Sequence, residues 1–171
     1  LSRAAVPEVT AIPIPLACGG VTESDERTDH QIAFVCVQNA GRSQMAAAFA
    51  ERERDRRGVG DQITIVTGGT QPADHVHEIV VEAMRERDID LSDRTPREVT
   101  PDELQAVDIV VTMGCSASDV CPATWNGENR DWGLDDPHER PIEQVREIRD
   151  EIEERVVSLF DELLSQTPSA E

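Results

Sequence analysis

FVCVQNAGRSQMAAAF, residues 34–49, carries an apolar run that stops at Cys36, five intervening residues, and then Arg42 and Ser43 at the head of an alanine-rich stretch. Phe34 and Val35 belong to the aromatic and β-branched set that fills pleated surfaces, whereas Met45 to Ala48 are strong helix formers. Between them, Asn39 and Gly41 are residues that turn a chain readily. The stretch reads as strand, tight loop and helix, with the cysteine at the strand's carboxyl end.

Outward from it the same rhythm repeats. QIAFVCV (31–37), ITIVT (63–67) and AVDIVVTM (106–113) are short β-branched runs of the kind that fill a sheet buried on both faces. The segments between them have helical spacing, and helices are expected over 43–56, over 75–87, at TPDEL (100–104) and over 142–164. In TPDEL, Thr100 is the expected N-cap and Pro101 the first helical residue. The last helix places Val145, Ile148, Ile152, Val156, Leu159 and Leu163 three or four apart, one apolar face on a charged rod. A βαβ alternation of this kind predicts one three-layer α/β domain with a mostly parallel sheet, over residues 30–165. Residues 1–29, with their prolines, glycines and polar TESDERTDH, read as a loose N-terminal arm, and 166–171 as a C-terminal tail. Cys18 falls in that arm and is expected to be an incidental thiol.

The chain of 171 residues carries 35 acidic against 16 basic residues, a formal charge of -19, and every basic residue is arginine. So strong a negative field disfavours nucleic acid and anionic membrane as partners. An acidic, lysine-free and tyrosine-free surface suits concentrated salt, which screens the mutual repulsion of hydrated carboxylates, and a halophilic source is expected. No run approaches the roughly 20 apolar residues of a membrane helix. AIPIPLACGG, broken by Pro13 and Pro15, reads as neither span nor signal peptide, and a cytoplasmic location is expected.

In a parallel sheet, ligands bind beyond the carboxyl ends of the strands, where loop amides and a helix N-terminus face an anion. Cys36 stands at that point. Loop amides, the helix dipole and the fixed charge of Arg42 together favour a thiolate, and Arg42 offers a planar fork for a tetrahedral oxyanion. Gly41 permits the turn, the Asn39 side chain can hold the loop's backbone, and the Ser43 hydroxyl can donate to the sulfur. Near the C-terminus, Asp135 and Asp136 precede Pro137, either as an acidic turn or as a source of a general acid. Cys115 and Cys121, with five residues between them in the loop after the third run, lie on the same sheet edge as Cys36. Their surroundings of Ser116, Ser118, Asp119 and Pro122 are polar, which argues against plain core cysteines. His75 and His77, spaced by two, do not share a helix face; no metal site is expected, and both read as surface residues. Trp125 and Trp132 fit either core or site rim.

The Cys-x5-Arg-Ser loop behind the first core strand is similar to that of the low-molecular-weight protein tyrosine phosphatase superfamily. FVCVQNAGRSQMA, together with WGLDDP at 132–137, resembles more closely the arsenate reductases built on that fold, over residues 31 to about 164. The resemblance implies a four-stranded parallel sheet, with Cys36 as nucleophile, Arg42 as oxyanion ligand, Asn39 and Ser43 as loop supports and Asp136 as general acid, with its neighbour Asp135 as the rival for that role. It implies that Cys115 attacks the thiolate–arsenate adduct, that Cys121 resolves the resulting disulfide, and that a thioredoxin-like protein or a low-molecular-weight thiol restores the enzyme, with no bound cofactor. Ala47 stands where potassium-binding members carry an acidic residue, so no potassium site is expected. A phosphatase acting on phosphotyrosine or small phosphoesters, or a protein that binds oxyanions without turnover, are the alternatives. His138 occupies the position after the Asp-Pro where the phosphatases commonly carry tyrosine, which favours the reductase.

Overall fold

The computed structural model of the chain describes residues 30–165, so the expected N-terminal arm with Cys18 and the tail at 166–171 lie outside the described residues. Four strands form one sheet: β1 (His30–Cys36), β2 (Ile63–Gly69), β3 (Ile109–Met113) and β4 (Glu128–Asp131), in the order β2-β1-β3-β4 and parallel throughout. Cys36 pairs with Gly69 on one side and Met113 on the other, so the loops that follow these three strands leave the sheet side by side.

Alternation along β1 sorts the two faces. Ile32, Phe34 and Cys36 join the larger core with α1 (Arg42–Arg56), α2 (Glu78–Arg85) and α5 (Ile142–Ser165). Ala33 and Val35 point the other way, into a smaller cluster with Val99, Leu104 and Val107 around α3 (Pro101–Gln105). The result is the expected three-layer α/β arrangement with four parallel strands. α1 is buried on every side from Arg42 to Ala50, lying between sheet and α5, and this explains its alanines: small side chains let a helix approach both layers closely. Truncating Phe49, fully buried in that helix, to alanine costs about 3–5 kcal/mol. α5 buries Val145, Ile148, Ile152, Val156, Leu159 and Leu163, the stripe read from the sequence.

α3 starts as its residues dictate. Thr100 Oγ1 accepts from the Glu103 amide while the Glu103 carboxylate accepts from the Thr100 amide, a complete capping box with proline at the first helical position.

Three elements depart from expectation, one of them the four-residue helix α4 (Ala117–Val120) in the loop after β3. The second helix, expected from His75, begins at Glu78, because the preceding backbone is tied to the loop between β1 and α1: the Ala73 amide donates to Gln38 O and the His77 amide to Ala40 O, both at 2.9 Å. β4, with the sequence ENRD, has no apolar residue to signal a strand; it is an edge that, among the described residues, pairs only with β3.

Candidate active site

The loop between β1 and α1 closes around the sulfur of Cys36. Asn39 takes a φ of +50°, the left-handed conformation that asparagine tolerates better than most residues, and this turns its own amide onto Cys36 Sγ at 3.2 Å. Ser43 Oγ stands 2.8 Å from the same sulfur. The Asn39 side chain, fully buried, holds the turn from behind. Its amide nitrogen donates to Ser43 Oγ and Thr67 Oγ1, and its carbonyl oxygen accepts from the Gln44 side chain and the Arg97 amide, at 2.8–3.1 Å. Gly41, the cap position of α1, has no side chain to occupy the first-turn amides, which suits them to an anion.

A cavity of about 340 Å³ opens above this loop. Cys36, Val37, Gln38 and Gly41 form its floor, and Arg42, His77, Gly114 and Asp136 its walls. Arg42 is nearly buried; one guanidinium nitrogen donates to Leu134 O at 2.9 Å and the other lies 3.8 Å from Asp136 Oδ2. Its fork is therefore steered by the segment that carries Leu134 and Asp136. Asp136 also accepts at Oδ1 from the His138 amide, 2.9 Å away. Asp135, in contrast, lines a separate surface hollow with Arg140 and Gln144.

The three described thiols are all free. Cys115 is half-buried on the α3 side of the sheet, and its thiol is directed at Val35 O, 3.7 Å away. Burial above all pushes this thiol up to about 11, with the negative charges of Cys36 and Asp119 adding to it, against the opposing effects of the Met113 backbone and Arg42. Cys121, at the end of the short α4 (Ala117–Val120), packs against the same smaller cluster, and burial raises its pKa too. It is not among the residues lining the cavity.

Of the residues singled out in the sequence, the fold thus gathers Cys36, Arg42 and Asp136 onto one cavity, sets Asn39 and Ser43 directly behind its sulfur, and places Cys115 on the adjoining loop. His77, expected at the surface, is instead a wall of the cavity, half-buried and stacked on His138 with ring centroids 4.6 Å apart. Its position before α2, fixed by the loop bonds described above, turns it inward; spacing along the chain carries no signal of that. Burial, then the charge of His138, lower its pKa below the ordinary histidine value, with Asp136 acting in the opposite sense. Trp132 belongs to the larger core, against Phe34, while Trp125 packs on the smaller cluster and donates from its indole to Val107 O at 2.7 Å. Among the described residues no cluster of three or more His, Cys, Asp or Glu side chains is arranged to hold a metal ion, and no helix is long and apolar enough to cross a membrane.

Residues 31–169 match the low molecular weight phosphotyrosine protein phosphatase family. A Halobacterium salinarum protein that carries the provisional name of arsenate reductase is 64% identical over 132 residues, 77% of this chain and 92% of that protein. The solved structure of a thioredoxin-dependent arsenate reductase from Corynebacterium glutamicum is 37% identical with a TM-score of 0.65 over 81% of this chain; the match spans 64% of that structure's chain. A solved arsenate reductase in its phosphate-binding state is 28% identical, with a TM-score of 0.65, covering 78% of this chain and 98% of its own.

Proposed function

The chain belongs to the low molecular weight phosphotyrosine protein phosphatase family, and from that premise we propose that it is an arsenate reductase working through three thiols. One observation carries this choice. Cys115 follows by two residues Met113, the ladder partner of Cys36, and its thiol rests on the carbonyl of Val35, the residue beside the nucleophile. Phosphoester hydrolysis needs one cysteine and a water, whereas a two-electron reduction needs a second sulfur within reach of the first. The arsenate reductases among its relatives support the same choice.

The chemistry follows from the parts. Arsenate binds in the cradle with its charge against the α1 amides and the Arg42 fork. The Cys36 thiolate attacks arsenic; an S–As bond forms, an As–O bond breaks, and the departing oxygen takes a proton from the Asp136 carboxyl. The Cys115 thiolate then attacks Cys36 Sγ. A disulfide forms, the electron pair of the S–As bond stays on arsenic, and arsenite leaves reduced by two electrons. Cys121 attacks Cys115 Sγ and expels the Cys36 thiolate, leaving a Cys115–Cys121 disulfide. A thioredoxin-like protein or a low-molecular-weight thiol returns the two electrons. Phosphate, of the same shape and charge, competes for the cradle.

Intact mass under non-reducing conditions tests the relay. Cys115→Ser is expected to stop after the adduct on Cys36, and Cys121→Ser to complete one round and hold Cys36 and Cys115 joined. Full multiple-turnover reduction by both variants would show the relay to be wrong. A wild-type chain that cleaves an aryl phosphate but reduces no arsenate with any thiol reductant is instead a phosphatase.

A further inference from the structure

The turn that carries Asp136 is fastened to the oxyanion loop at its next two residues as well as at the acid itself. Pro137 lies against Gly41, where a Cβ would meet Pro137 Cγ at 2.8 Å. His138 lies with its ring 4.6 Å from that of His77, the planes inclined by 38°. His77 is in turn pinned to the loop, its amide on Ala40 O and its Cδ2 within 3.7 Å of where a Gly41 Cβ would be. A continuous path results: from the loop to the His77 ring, to the His138 ring, to the His138 amide, to Asp136 Oδ1 at 2.9 Å. Asp136 itself is half-exposed, and a half-exposed carboxyl on a turn needs such a path to keep one orientation.

We propose that His77 is a positioning residue for the Asp136 carboxyl, acting through the stacked His138 ring. This rests on the role given above to Asp136 as the acid that protonates the departing oxygen. The charged and titratable groups around the pair are Cys36, Arg42 and Asp136, which line the cavity with His77, and Glu139, 3.7 Å from His138 Nε2. The path needs a flat ring at residue 77, not a charge. Phenylalanine there keeps the stack, while alanine releases the turn and leaves the cradle in place.

The test is the first-turnover rate of arsenite release at saturating arsenate, with phosphate affinity measured alongside. His77→Ala is expected to slow the first turnover about tenfold, a fraction of the whole effect of a general acid. Phosphate affinity is expected to stay within about twofold, because the α1 amides and the Arg42 fork proposed to hold the anion stay in place. His77→Phe is expected to recover most of the rate. In an Asp136→Asn background, His77→Ala is expected to add almost nothing, since both changes act on one carboxyl. His138→Ala, on the exposed side of the stack, is expected to reproduce His77→Ala and serves if that variant folds poorly. Additive losses in the double variant, a parallel loss of phosphate affinity, or no recovery with phenylalanine would each overturn the positioning role. A wild-type chain that completes no first turnover overturns the proposed function, and this inference falls with it. Normal turnover in the wild type and a deficit in Asp136→Asn, with His77 variants unaffected, would remove the inference alone.

Discussion

Gly114 and Arg42 fill each other's space: a Cβ on Gly114 would stand 2.7 Å from one guanidinium nitrogen of Arg42 and 2.8 Å from the other. Gly114 also sits at a φ of +82°, which other residues adopt with strain. The glycine behind β3 thus sets where the Arg42 fork, proposed above to hold the anion, rests. Gly114→Ala is expected to displace the fork, weaken phosphate and arsenate binding by tenfold or more, and cost about 1 kcal/mol in stability through the backbone alone. Titration calorimetry with phosphate beside a thermal melt separates the two effects, and unchanged phosphate affinity would show that the fork does not depend on this clearance.

The Cys115 thiol, pushed up to about 11 chiefly by burial, is protonated at neutral pH. Only the thiolate attacks, and its fraction rises about tenfold per pH unit below the pKa. Formation of the Cys36–Cys115 bond in Cys121→Ser is therefore expected to accelerate steeply from pH 7 to 9, while hydrolysis of an aryl phosphate, which bypasses Cys115, shows no such rise. A flat rate for the disulfide step would mean that Cys115 leaves its site on Val35 O before it is deprotonated.

Glu86 joins α2 to α5. Hydrogen bonds from Arg146 and Arg149 hold its carboxyl down at about 2, below the ordinary value of 4.5. A depressed carboxylate contributes stability above its unfolded pKa and loses it as pH falls toward the folded one. Glu86→Gln is thus expected to lower the melting temperature at pH 7, with the gap to wild type closing between about pH 4.5 and 2. A gap that persists undiminished at pH 2 would assign the effect to packing.

A formal charge of -19 with no lysine leads to the proposal that the chain is adapted to concentrated salt. Screening of carboxylate repulsion is then expected to raise the melting temperature by several degrees between low and molar potassium chloride. A melting temperature that stays level or falls would count against that adaptation.

Where local chemistry determined the structure, the sequence showed it. Thr100, Pro101 and Glu103 carry everything a helix start requires, and α3 begins there. The six aliphatic residues of α5 face one way because nothing else could bury them. What the sequence did not show was set by distant partners. The chain around His75 to His77 has helical composition, yet backbone bonds to Gln38 and Ala40 keep it out of the helix and turn His77 into the cavity. Spacing by two along the chain said only that the histidines part ways, not which one faces the site. Likewise, Asp135 and Asp136 are equivalent as letters, and only the three-dimensional course of the Leu134–Pro137 turn sets one against Arg42. ENRD became β4 because β3 offered it a free ladder, a tertiary fact with no local trace.

That last strand also governs how the molecule meets its own copies. β4 presents Glu128, Asn129 and Asp131 to solvent along its length, and both outer nitrogens of the Arg130 fork are engaged by Glu162 of α5 at 2.6 and 2.8 Å. A strand from another molecule seeking to extend the sheet would have to seat itself among like charges and break that fork, so growth by edge-to-edge pairing is opposed at its first step. Salt relaxes the opposition of the carboxylates yet leaves the fork in place. That edge of the sheet thereby resists extension at low and at high salt alike.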